Sequence, residues 1–514
     1  MIRFAVHGPA DTITQATLAA AHVLGPDGTG IRGDVRTAPP NVIECRRAGE
    51  GAAALSLPFS AGTAGRLMLQ TCLLPAREEP YSLTVELARY QVKSFLAKSE
   101  EWQMFDAAKA TTALETWERA RAAFTRAMVS GAGAEAEADA NTALQLGIEA
   151  NERLSLEHAK ILLQRRFGTR AASSATLGAK VWPQRSGDAL QDFIGSHFDL
   201  AVLPIRWAEI EPEEGKLNWA PLDRWMAWAK KTGKPVVAGP LVDFSGPALP
   251  VWMQTWQHDF ETCRDFAYDF MEKVIQRYAG AVAMWNLASG INVNDNFRFT
   301  APQMLDLVRT ARLLVRQYRR GARTMIEIRH PFGDYVGRNR DSIAPLPFVT
   351  HLRQEGVQLD ALGIQLVFGP GPHGEYARDL MQISNVLDRM HLLDLPLLVS
   401  GLGVPSGIAP DAPDRGWWHG PWSSRIQERW ISRVFSLALS KPQVESIFWT
   451  DVYDHPGADV LGAGLLDGAG KPKDGLRKLV GMRRRLRKPL GSDASLEGGD
   501  GPGVSAGSPA EANE

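Results

Sequence analysis

The stretch FDLAVLPIRWAEIEPEEGKLNWAPLDRWMAWAKKTGKPV, residues 198–236, decides the fold. It opens on an apolar run of strand length, LAVLPIRW, and crosses a polar, turn-rich segment, EPEEGK. It then enters LDRWMAWAKKTG, where apolar residues recur at helical spacing, and a second apolar run, KPVVAGPLVDF, follows at once. Strand, helix and strand in that order make a βαβ unit, and such units build parallel sheets.

Outward from this unit the alternation repeats. ATLGAKVW lies upstream, and AVAMWNLAS, RTMIEIRHP, ALGIQLVFG, LPLLVSGLG and ESIFWTDVY lie downstream. Amphipathic segments such as APQMLDLVRTARLLVRQYRR separate them. Eight strand–helix units over residues 173–488 predict an α/β fold, a (β/α)8 TIM barrel. Residues 1–90 read differently. Short apolar runs (AAALSLPF, GRLMLQTCLL, YSLTVELAR) between Gly, Pro and Asp clusters predict a small β-rich, sandwich-like domain. Residues 91–172, rich in Ala, Glu, Leu and Arg, predict a helical connector. Residues 489–514 lack hydrophobic residues almost entirely and are expected to be disordered.

Composition narrows the function classes. A chain of 514 residues with 44% hydrophobic and 22% charged residues is ordinary for a globular protein of two or three domains. The formal net charge of −1 gives no electrostatic case for nucleic acid or an anionic membrane as partner. Cys45, Cys72 and Cys263 are too few and too scattered for a disulfide framework or a metal cluster. The start, MIRFAVHGPADTITQ, lacks the apolar core of a signal peptide, and no run is long enough to span a bilayer, so a cytoplasmic location is expected. The oligomeric state is left open.

Several motifs resemble those of glycoside hydrolase family 10, the endo-β-1,4-xylanase family. EPEEGKLNW and WAKKTGKPV match that family's second strand–helix unit, with Arg206 and Trp207 at its Lys-Trp pair. GVQLDALGIQL and GLLDGAGKPKDGL match its sixth strand and its closing segment. The resemblance implies a carbohydrate ligand, no cofactor, and a retaining mechanism with two glutamates about 5–5.5 Å apart. The motif that carries the family's acid/base falls on WNLASG, placing Gly290 at that glutamate, and the nucleophile motif falls on LVSGLG, placing Gly401 there. Neither neighbourhood contains a glutamate that a small shift could recover. The resemblance therefore implies a divergent member without the ordinary catalytic pair.

Functional groups of such barrels cluster at the C-terminal ends of the strands. The acids expected there are Asp243, Glu327, Asp334, Asp451 and Asp454. Glu327 shares a strand face with Met325 and Arg329, so it is read either as a buried ion pair with Arg329 or as a ligand or catalytic group. Weak catalytic candidates are Glu327, Asp243 and Asp451. Substrate-binding candidates are Gln365, Trp449, Asn292 and the loop tryptophans Trp417, Trp418 and Trp422, whose rings could stack on sugars or pack as a lid. Asn292, Asn294 and Asn296 could hold hydroxyls or stabilise turns. No second histidine stands at ligand spacing from His419, so no metal site is expected. Two functions stay open: a carbohydrate-binding or regulatory barrel that has lost catalysis, and a glycan- or polyol-processing enzyme using relocated carboxylates.

Overall fold

The structure is a computed structural model. It describes residues 1–7, 13–39, 41–47, 49–104, 111–131, 133–167, 176–185 and 187–486; the expected disorder of 489–514 lies outside these. Eight parallel strands form a closed barrel: β1 (Thr176–Lys180), β2 (Leu200–Leu203), β3 (Val236–Ala238), β4 (Met284–Ser289), β5 (Arg323–Ile328), β6 (Ala361–Val367), β7 (Leu397–Gly403) and β8 (Val444–Trp449). Each pairs with its sequence neighbour, and β8 closes on β1 through Ser446 opposite Thr176. All eight coincide with the apolar runs read from the sequence.

These runs are apolar on both faces because helices cover the outside and side chains fill the inside. Every residue of β6 and β7 is buried. Leu200, Val237, Met284, Met325, Ala361, Leu398 and Phe448 form one interior layer. Gly363 makes that layer possible, since a Cβ there would run into Met325 and Ser400. Further along the strands the inward face turns polar, with Lys180, Asn286, Glu327, Gln365 and Ser400. The layer of polar residues is where the site lies.

The β-rich region ends at Ser82 and forms two sheets. One has four strands, ordered Gly33–Ala38, Val42–Arg47, Ile2–Ala5 and Tyr81–Ser82. The other contains Gly65–Gln70, Ala54–Ser60, His22–Leu24 and Gly30–Ile31, and its edge is completed by Trp417–Trp418 from the loop after β7. Three helices follow: α1 (Leu83–Glu101), α2 (Thr111–Ser130) and the long α3 (Ala134–Phe167). They are not a loose tether. α3 packs on the barrel helices Leu380–His391 and Ser424–Ser440, and one continuous apolar core runs from Phe4 and Leu57 through Ile148 to Trp430. Among the described residues no helix is long and apolar enough to cross a membrane.

Candidate functional site

At the C-terminal mouth of the barrel the strands deliver two linked polar clusters. The first joins β3, β4, β5 and β6. Arg329, just past β5, donates from Nη2 to Asp243 Oδ2 at 2.8 Å and to Ser289 Oγ at 3.0 Å. Ser289 Oγ donates to Glu327 Oε1 at 2.6 Å, and Gln365 Nε2 donates to the same oxygen at 2.7 Å. Burial works against the charge on Asp243, but the Arg329 guanidinium and the hydrogen bonds from Ser245 hold its carboxyl below the usual range. Burial also works against the charge of Arg329, and Asp243 and Glu327 outweigh it, so that guanidinium stays charged.

The second cluster surrounds Asp459, a fully buried carboxylate on the loop after β8. Lys180 of β1 pairs with it, Thr450 Oγ1 donates to it at 2.8 Å, and Arg206 Nη2 stands 3.7 Å away. The Arg206 guanidinium lies 3.7 Å from the centre of the Trp182 ring. Burial opposes the charge of Asp459, and Lys180 foremost keeps the carboxyl ionised well below the usual range. His373 stands 3.8 Å from Asp459, but burial and the nearby Arg329 push its pKa down to about 3, so it is neutral at physiological pH. Asp451 is fully buried beside Trp182 Nε1 (3.3 Å) and His455 (3.5 Å), and burial pushes its pKa up.

The two glycines sit at the same mouth. Gly290 directly follows β4 with a left-handed φ of 61°, and a Cβ there would lie 3.1 Å from Arg329 Cζ. Gly401 lies within β7, and its Cβ would lie 3.2 Å from Gln365 Cγ. The arrangement offers fixed donors and acceptors to a polar ligand: Glu327, half-buried, makes no hydrogen bond through Oε2 among the described residues. Among them, too, no group of three His, Cys, Asp or Glu residues is placed to hold a metal.

Several expected positions take other roles. Arg329 finds Asp243 across the barrel rather than Glu327 on its own strand, because alternate residues on one strand point the same way but reach separate neighbours. Trp449, expected to stack on a ligand, is fully buried with Nε1 donating to the Ala463 carbonyl at 3.0 Å. Asn292 is also fully buried, holding Tyr335 Oη and the Ile343 carbonyl and so the loop after β5. Trp417 and Trp418 belong to the β-rich region's sheet, and Trp422 is buried with Nε1 on the Gly416 carbonyl. Trp418 Nε1 donates to Glu152 of α3 at 2.6 Å. Trp418, Trp422 and Trp449 are buried, whereas Trp417 is half-buried. Asp334 and Asp454 are likewise engaged, with Arg378 and with Lys473 at 2.5 Å. Gln365, Glu327 and Asp243 do meet at the mouth. Reading from sequence matched Arg206 to a family motif without placing it in the site, and it missed Lys180, His373 and Asp459. Lys180 was detectable from its alternation with Gly178 in β1, whereas the two loop residues carried no periodic signal.

The closed parallel barrel with its charged groups at the strand C-termini is the architecture in which (β/α)8 enzymes place their sites. The chain belongs to glycosyl hydrolase family 10, whose family model matches residues 172–455, just over half of the chain. Among curated relatives, endo-1,4-β-xylanase A of Fusarium oxysporum is 27% identical over 95 residues, 18% of this chain and 28% of the relative. Endo-1,4-β-xylanase 3 of Hypocrea jecorina is 26% identical over 91 residues, 18% of this chain and 25% of the relative. The matches thus span little more than a quarter of those proteins. Similar solved structures include a xylanase from Thermotoga petrophila in complex with xylobiose, at 15% identity and a TM-score of 0.46, covering 64% of this chain and 98% of that one. A family-10 structure from Paenibacillus barcinonensis gives 19% identity and a TM-score of 0.47, covering 60% and 94%.

Proposed function

We propose that this barrel binds a β-linked glycan or oligosaccharide at its C-terminal mouth and does not hydrolyse it by the retaining mechanism. The observation that carries the second half is the pair of glycines at the ends of β4 and β7. Hydrogen cannot protonate a leaving group or attack an anomeric carbon, and the space beside Gly290 is taken by the Arg329 guanidinium. Support for the first half is the polar inner face at the mouth. Gln365 Oε1, Asn286 Oδ1 and Ser400 Oγ are buried there without a hydrogen-bond partner among the described residues, and hydroxyls of a saccharide, or water in its place, would satisfy such groups. The curated relatives named as endo-1,4-β-xylanases make β-1,4-linked xylose oligomers the first ligands to try.

The competing reading is an active glycan- or polyol-processing enzyme with relocated carboxylates. Glu327 is the residue that favours it, being half-buried with one oxygen unengaged. Asp451 fits it poorly because it is wholly enclosed. Calorimetric titration with xylo-oligosaccharides, run beside a reducing-sugar assay on xylan, separates the two. The proposal expects saturable binding, weakened about tenfold or more by Gln365→Ala, and no product. Turnover abolished by Glu327→Gln would establish the relocated enzyme. Absence of binding to any saccharide would reduce the barrel to a scaffold.

A further inference from the structure

Between the β-rich region and the barrel lies a cavity of about 170 Å3, lined by none of Asp243, Glu327, Arg329, Gln365 or Asp459. One wall comes from the N-terminal half, with His22, Gln70 and Tyr90. The other comes from the barrel, with Arg378 at the end of the loop after β6, and Asn385 and Arg389 on the helix Leu380–His391. Two guanidinium groups therefore face one small space.

Their charges are unevenly matched. Asp334 is the carboxylate on this wall, and it is already engaged: Oδ2 pairs with Arg378, and Oδ1 stands 3.3 Å from His22 Nε2. Arg378 is 4% exposed and lies 4.3 Å over the Phe332 ring, which fixes its plane. Arg389 has no carboxylate within ion-pair distance among the described residues. Its one hydrogen bond runs from Nη1 to the Asp27 backbone carbonyl at 3.3 Å, while the Asp27 carboxylate is taken by Thr29 through N at 3.1 Å and Oγ1 at 2.6 Å. The Nε atoms of both arginines are buried with no hydrogen-bond partner among the described residues. Burial pushes the pKa of Arg389 down, against the more distant charges of Asp27 and Asp334.

We propose that this cavity is a binding site for a small oxyanion, a phosphate or a carboxylate, held by Arg389 and Arg378 and flanked by Asn385 and Tyr90. A guanidinium presents a planar fork of N–H donors that matches two oxygens of such an anion, and it is attracted most strongly where water is partly excluded. A neutral saccharide would leave the excess positive charge uncompensated. Because its walls come from two distant parts of the chain, an occupant also bridges the β-rich region to the barrel and stabilises the folded protein by mass action.

The test is isothermal titration of the full chain in a chloride buffer of low ionic strength, with inorganic phosphate in one arm and acetate in the other. The expected result is saturable binding of at least one of them, weakening as salt is added, with the tighter arm identifying the source. Arg389→Met, which keeps the aliphatic stem, should weaken that binding at least tenfold, and Arg389→Lys should retain part of it. Without anion, Arg389→Met should melt at or above the wild-type temperature, since it removes an unbalanced charge. No saturable binding of either anion overturns the proposal. So does unchanged affinity in Arg389→Met, or a lower melting temperature of that variant, which would show that the arginine is needed for packing alone.

Discussion

The barrel mouth and the junction between barrel and β-rich region use buried charge in different ways. At the mouth the partners are close in barrel order: Asp243, Ser289, Glu327, Arg329 and Gln365 come from four successive strands and their loops. Arg329 and Gln365 are the side chains that a Cβ on Gly290 or on Gly401 would meet first. At the junction the partners come from distant parts of the chain. Glu152 of α3 receives Trp418 Nε1 and His419 Nε2, each at 2.6 Å, and the Leu380 amide at 3.3 Å. Burial opposes its charge, yet the bonds from His419 and Trp418 hold its carboxyl below the usual range. The contrast teaches where structure depends on pairing. The mouth's charges sit on a frame that the barrel ladder already defines, whereas the junction's charges help to define the frame.

If that is right, the largest loss should come from the junction. Glu152→Ala leaves an indole N–H, an imidazole and an amide buried without their acceptor. It should destabilise the fold by about 3–5 kcal/mol, the range for breaking a buried pair. Chemical denaturation followed by tryptophan fluorescence measures it, and a change under about 1 kcal/mol would erase the contrast.

Arg329→Met comes second. It strips Asp243 of its cation, but Asp243 keeps the Ser245 amide at 2.9 Å, and its side chain retains 12% exposure. A loss of about 2–3 kcal/mol is expected, on the same denaturation assay. A loss equal to that of Glu152→Ala would mean that the mouth is as formative as the junction.

Gly290→Ala tests the mouth more gently. An L-residue at that φ, with its Cβ against Arg329, should cost about 1–2 kcal/mol. Gly290→Glu together with Gly401→Glu should give at most weak xylan hydrolysis. Robust activity in that double variant would show that Arg329 and Gln365 beside the two glycines are not a barrier.

The smallest effect concerns pH. His373 has a folded-state pKa of about 3 against an ordinary 6.5. The unfolded chain therefore takes up the proton first, and stability falls as pH drops from about 6.5 toward 3. His373→Gln should flatten the upper part of that decline in a melting-temperature series, whereas an unchanged slope would assign it to the carboxylates.

Much of the barrel was legible because its signal is local and repeated. LAVLPIRW, AVAMWNLAS and LPLLVSGLG each announce a strand buried on both faces, and the helices between them show 3.6-residue periodicity. Glu327 and Asp243 were legible as mouth residues for the same reason, since strand parity and strand ends locate them, whereas Gln365 was reached through the family resemblance. The tryptophans were not. Trp417, Trp418, Trp422 and Trp449 read as stacking surface or as core, and only the packed structure places them: Trp417 and Trp418 at the sheet edge beside Gly65–Arg66, Trp418 on Glu152, and Trp422 and Trp449 on the Gly416 and Ala463 carbonyls.

What the sequence determined by itself is the parallel barrel, the residues at its strand ends, and glycine at positions 290 and 401. Each of these follows from period, parity or identity along a short stretch. Tertiary structure alone decided that Arg329 pairs with Asp243, that Lys180 meets Asp459, and that α3 carries the acceptor for Trp418 and His419. Those pairs join residues as far apart as 279 positions, and no local pattern encodes which of several buried cations will meet which carboxylate. Desolvation sets that choice: a charge taken out of water must find whichever partner the finished packing places within reach.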